Sequence, residues 1–145
     1  MDNMRWLPAL AALISSCVNT LHYELHYEQS GGLGGVPQYR ITIDSTRRCI
    51  IVSLDDSTAH RTRAQQLEED FYRRIGSMIA DTALWSLEPE NAANPPRPDT
   101  PLRHLSIRLG AHTKQMVLGT PLPDALQPLV MLLDSIAQHA TSMQR

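Results

Sequence analysis

Polar and apolar residues alternate from Leu21 to Gln29, with Leu21, Tyr23, Leu25 and Tyr27 on one side and His22, Glu24, His26 and Glu28 on the other. A strand turns successive side chains to opposite faces, so a period of two predicts a strand with one buried face. Glycines at 31, 32, 34 and 35 break the pattern. It resumes at Tyr39, Ile41 and Ile43, pauses at the turn-forming Asp44-Ser45-Thr46, and returns in the run Ile50 to Leu54. From about Thr58 the period lengthens. Leu67, Phe71, Ile75, Met78 and Ile79 recur at intervals of three and four, with Glu68, Glu69, Asp70, Arg73 and Arg74 on the other faces. That spacing predicts an amphipathic helix. Ala80-Asp81-Thr82 closes it, and Leu84, Trp85 and Leu87 pack behind it.

Glu88 to Pro101 holds five prolines and no apolar period. Proline removes backbone donors and restricts its neighbours, so this stretch reads as an irregular loop. Leu105, Ile107 and Leu109 predict another strand, Gly110-Ala111-His112-Thr113 a turn, and Gln115 to Leu118 its partner. Pro121, Pro123 and Asp124 open a last helix, whose apolar face is Leu126, Leu129, Val130, Leu133 and Ile136. The order is β-β-β-α-β-β-α. Short connections between strands favour an antiparallel sheet, so the expected fold is α+β: about five strands with two helices packed on one face. One domain, 21–140, is expected, with a frayed polar tail at 141–145.

The first twenty residues follow a different rule. Arg5 precedes a nine-residue apolar stretch from Trp6 to Ile14, too short to cross a bilayer as a helix. Ile14-Ser15-Ser16-Cys17 then resembles the lipobox of bacterial lipoproteins, an aliphatic residue and two small ones before a cysteine. The thiol is the nucleophile that accepts the lipid, and small residues before it fit the signal peptidase. Residues 1–16 are thus expected to be a signal peptide and 17–20 a tether lipidated at Cys17. Each buried methylene of the lipid contributes about 0.8 kcal/mol, so several acyl chains make a stable anchor. Val18 follows the cysteine where aspartate would retain such a lipoprotein, which implies an outer-membrane address facing the periplasm.

Composition adds exclusions. The formal net charge of −2 over 145 residues brings no basic stripe, so nucleic acid is not an expected partner. The two cysteines, Cys17 and Cys49, would form a disulfide in an exported chain; lipidation of Cys17 instead leaves Cys49 alone, in a run that reads as a buried strand. Six histidines raise the question of a metal. His22 and His26 share a strand face but stand about 13 Å apart, too far to chelate one ion alone. No CxxC pattern and no helical histidine pair beside a glutamate is present, so these histidines read as solvent-facing and no cofactor is expected. Ser30 lacks the strand–turn–helix context of a hydrolase nucleophile, and GGLGG at 31–35 lacks the lysine and helix of a phosphate cradle. No catalytic constellation emerges. A small-molecule substrate is not expected either.

Three segments taken together resemble the emfourin family, small protein inhibitors of thermolysin-like metalloproteases. They are Tyr27 to Gly35 (YEQSGGLGG), Ala80 to Leu87 (ADTALWSL) and Thr120 to Leu129 (TPLPDALQPL), in the family's order. Gln29 stands where a basic residue is common in that family, and Leu33 where an aromatic is common. The resemblance implies inhibition by occupation of the protease cleft, without chemistry by the inhibitor. Such proteases favour a large aliphatic side chain beside the scissile bond, which points to Leu87, supported by Glu88, Pro89, Asn91, Asn94, Pro95 and Arg97 of the stiff loop. The competing reading places Leu87 in the core with Trp85. The expected function is therefore a lipid-anchored, non-catalytic envelope binding domain whose partners are the membrane, through Cys17, and a metalloprotease. The alternative is a structural or assembly lipoprotein that binds another envelope protein.

Overall fold

The computed structural model describes residues 22–31, 37–54, 61–87, 99–119 and 121–142. Cys17 and the rest of the signal and tether lie outside them. The described elements are β1 (Tyr23–Ser30), β2 (Tyr39–Ile43), β3 (Arg48–Ser53), β4 (Thr62–Gln66), α1 (Glu69–Ile79), α2 (Thr82–Trp85), β5 (Leu102–Leu109), β6 (His112–Leu118) and α3 (Gln127–Ser142). The six strands form one antiparallel sheet in the order β4-β3-β2-β1-β5-β6. The architecture is α+β, as the periodicities predict.

Two elements go beyond the expectation. β4 lies within the stretch whose pattern, from about Thr58, reads as helix, and the helix itself begins only at Glu69. The sequence TRAQQ has no apolar alternation because β4 is the sheet's outer strand and covers little core. A polar edge of this kind also resists pairing with other chains. The second is α2, one turn long. Asp81 starts it by accepting from the Ala83 N–H at 3.0 Å, which satisfies a donor that a helix start leaves open. Trp85 Nε1 then donates to the Ile79 carbonyl at 2.7 Å and folds α2 back on the end of α1.

The inward side chains of the sheet, the apolar stripes of α1 and α3, and Leu84 of α2 join in one core. β1 lies at its centre and presents Tyr23, Leu25 and Tyr27, each essentially inaccessible to solvent. Each tyrosine docks one helix. The Tyr23 ring stacks on Tyr72 of α1 with centroids 4.2 Å apart. Beyond the last β1–β2 register pair, Leu25–Ile43, the Tyr72 hydroxyl serves as the missing ladder partner. It accepts from the Tyr23 N–H and donates to the Tyr23 carbonyl, both at 3.1 Å, while the Tyr23 hydroxyl donates to the Tyr72 carbonyl at 2.9 Å. Tyr27 and Tyr39 of β2 both donate to Asp134 Oδ1 of α3, Tyr27 at 3.2 Å. Burial raises the pKa of all four phenols above the ordinary value.

Hairpin turns close the sheet at one end. Asp44 accepts from the Thr46 hydroxyl at 2.6 Å, the Thr46 N–H at 2.8 Å and the Arg48 N–H at 3.1 Å. The Thr46 hydroxyl contributes most to holding the Asp44 carboxyl below its usual range. Gly110, with φ +59°, supplies the left-handed residue of the two-residue β5–β6 turn, so β6 starts at His112, inside the expected turn. Cys49 is free and buried on β3, where desolvation pushes its thiol up to about 11. No helix among the described residues is long and apolar enough to cross a membrane.

Gly76 of α1 is where the Tyr23 ring meets the helix. A Cβ there would sit 3.2 Å from Tyr23 Cε1. That ring is held by the stack and by its hydroxyl, so it has little room to retreat. Alanine is the better helix former by about 1 kcal/mol, but overpacking costs about 1–3 kcal/mol. Gly76→Ala should therefore destabilise by about 1 kcal/mol despite the propensity gain. Urea unfolding midpoints would measure it, and a stabilised variant would contradict the packing account.

Candidate binding surface

All three described helices pack on the inner face, so among the described residues no helix covers the outer face of the sheet. Its side chains follow from strand register. One row crosses β2, β1, β5 and β6 as Arg40, Glu28, His104 and Val117. The next runs Thr42, His26, Ser106 and Gln115. Most of these residues line a shallow groove of about 510 Å³. Within it, Arg40 Nε donates to Glu28 Oε2 at 2.9 Å. The Glu28 carboxylate is thereby engaged on the β2 side, away from β5. Thr42 Oγ1 stands 3.3 Å from His26 Nδ1. A second ion pair, Arg108–Glu24 at 3.7 Å, lies in the next row. Such exposed pairs contribute about 0–1 kcal/mol, so they set the charge pattern of the face more than its stability.

The register pairs Ser106 with His26, yet the ring nitrogen that would need an orienting carboxylate faces Thr42. His26 Nδ1 thus faces a hydroxyl where a catalytic triad would set an orienting carboxylate. Among the described residues no three or more His, Cys, Asp or Glu side chains gather closely enough to hold a metal ion. His22 and His26 are solvent-exposed, as their alternation predicts. What the sequence pattern did not indicate is the company of His26. The period of β5 already turned His104 and Ser106 outward, but only strand pairing sets them beside His26.

Leu87 sits at the base of the proline-rich loop. It is half-buried and packs against the core, which is the placement given by the competing reading. Its N–H donates to the Leu84 carbonyl at 3.3 Å. Lys114 of β6 turns inward and clamps this corner, donating from Nζ to the Trp85 carbonyl at 2.8 Å and also to the Leu87 carbonyl. Trp85 and His112 meet edge-on with ring centroids 6.3 Å apart. Glu88, Pro89, Asn91, Asn94, Pro95 and Arg97 lie outside the described residues. No known protein family and no curated protein matches this chain.

The Lys114 clamp replaces the missing helical partners of two carbonyls with a charged donor. Hydrogen bonds to charged groups contribute about 1.5–3 kcal/mol. Lys114→Met keeps the aliphatic stem and removes the donor, so it should destabilise by about 1–2 kcal/mol. Amide hydrogen exchange at Ser86 and Leu87 should quicken by more than at Ile75 in the core. Uniform quickening across the domain would argue against a local clamp.

Proposed function

We propose that this protein is a lipid-anchored, non-catalytic binding domain of the bacterial envelope, tethered through Cys17 at the outer membrane and facing the periplasm. The observation that carries a binding role is the one-sided sheet. Among the described residues no helix covers this six-stranded face, and its shallow groove sets Arg40, Glu28 and His104 beside the apolar Val117. Ile14-Ser15-Ser16-Cys17 supports the tether. The more specific form of the reading is inhibition of a thermolysin-like metalloprotease, supported by the three segments similar to emfourins and by the clamped base of the loop at Leu87. Inhibition requires only that the domain fill the cleft, so no reacting group is needed.

The second reading is a structural or assembly lipoprotein that holds another envelope protein against the outer face. The groove favours it, because it lies on the outer face of the sheet, whereas Leu87 packs against the core on the inner face.

Two measurements test this proposal. Expressed in a bacterium fed labelled palmitate, the chain should incorporate label and fractionate with membranes, and Cys17→Ser should abolish both. Label retained after Cys17→Ser would remove the anchor from the account. Purified domain should also slow a thermolysin-type protease at a near-stoichiometric ratio, and Leu87→Ala should weaken that effect. Full protease activity at a large molar excess would eliminate the inhibitor form and leave the assembly form.

A further inference from the structure

We propose that His26 and His104 form a two-histidine site for a divalent transition-metal ion on the outer face of the sheet. The site stands independently of the proposed binding role.

The register places His26 opposite Ser106 and His104 opposite Glu28, so the two histidines are diagonal neighbours on adjacent strands. Diagonal positions of an antiparallel pair lie about 7–8 Å apart at the backbone, within reach of two imidazoles leaning toward one ion. Both line the same groove. This is about half the separation of His22 from His26 along β1.

Two features of the surroundings decide which donors a metal would meet. Thr42 Oγ1 stands at 3.3 Å from His26 Nδ1, which orients the ring and leaves Nε2 as the nitrogen to bind a metal. Metal-binding histidines characteristically have their second ring nitrogen engaged in this way. Arg40 holds the Glu28 carboxylate at 2.9 Å. The metal ligands are thus two nitrogens, with Ser106, Gln115 and water available as neutral oxygens. Imidazole donors favour Zn²⁺, Ni²⁺ or Cu²⁺, whereas Mg²⁺ and Ca²⁺ require carboxylate-rich oxygen sites. With two protein ligands, coordination positions remain open to solvent or to a donor from a bound protein.

The test is calorimetric titration of the full chain carrying Cys17→Ser, which keeps that thiol out of the measurement, with Zn²⁺, Ni²⁺ and Mg²⁺ in turn. One equivalent of Zn²⁺ or Ni²⁺ should bind, and Mg²⁺ should not. His26→Ala and His104→Ala should each weaken binding at least tenfold, and Thr42→Val, which removes the orienting hydroxyl, should weaken it by about tenfold. His22→Ala and His112→Ala should change it less than twofold. These positions are exposed, so circular dichroism should be unchanged; His104→Gln replaces the alanine variant if that one loses its fold. Absence of saturable binding, Mg²⁺ binding as well as Zn²⁺, or affinity within twofold of the parent in both His26→Ala and His104→Ala would overturn the site.

Discussion

A phenol hydroxyl buried without a hydrogen-bond partner costs about 1–3 kcal/mol, and this chain buries all four of its tyrosines. Much of the fold follows from satisfying them. Tyr23 can be buried only where the Tyr72 carbonyl receives its hydroxyl, which fixes the height of α1 on β1. Tyr27 and Tyr39 can be buried only beneath Asp134, which fixes α3 over β1 and β2. Apolar burial is larger in total, at about 1.5–3 kcal/mol for each fully buried Leu or Ile side chain, but it is not directional. The hydroxyls choose one packing among the many that would hide the same apolar area.

Docking the helices from one strand's inner face has a consequence on the other side. Because Tyr23 and Tyr27 draw α1 and α3 to the same face, no described helix covers the reverse of the sheet. That face carries paired charges, the three histidines His22, His26 and His104, and hydroxyls, beside the exposed Val117. The arrangement suits the tethered binding domain proposed above, which would need a solvated surface and a recess for its partner. The edges fit the same need. β4 is short and polar, and β6 turns Lys114 inward, a charge that discourages strand addition.

The alternation of Leu21 to Gln29 and of Tyr39 to Ile43 made two strands and their buried faces readable, since one face of each is covered by core and the other by water. The stripes of α1 and α3 were readable for the same reason. β4 was not, because an edge strand buries too little to show a period. α2 was not, because four residues hold one turn and its signals are Asp81 and the Trp85 Nε1 bond, both local. The groove was half legible: the pattern turned His26, Glu28, His104 and Ser106 outward, but their meeting depends on register, a long-range property that no local spacing encodes. The Lys114 clamp on Leu87 joins residues 27 apart in sequence and had no sequence signature.

The central claim is that the four phenols are locked in the fold, and alkaline titration followed by phenolate absorbance tests it directly. Each folded-state pKa is raised above the ordinary 10.0. Above pH 10 the unfolded chain releases protons that the folded chain keeps, so stability is full below that point and falls as pH rises. Each of Tyr23, Tyr27 and Tyr39 contributes a slope of up to about 1.4 kcal/mol per pH unit. The phenolates of Tyr23, Tyr27 and Tyr39 should therefore appear together, in one step coincident with loss of circular dichroism. Ionisation of two or more tyrosines near pH 10 with the fold intact would contradict the account.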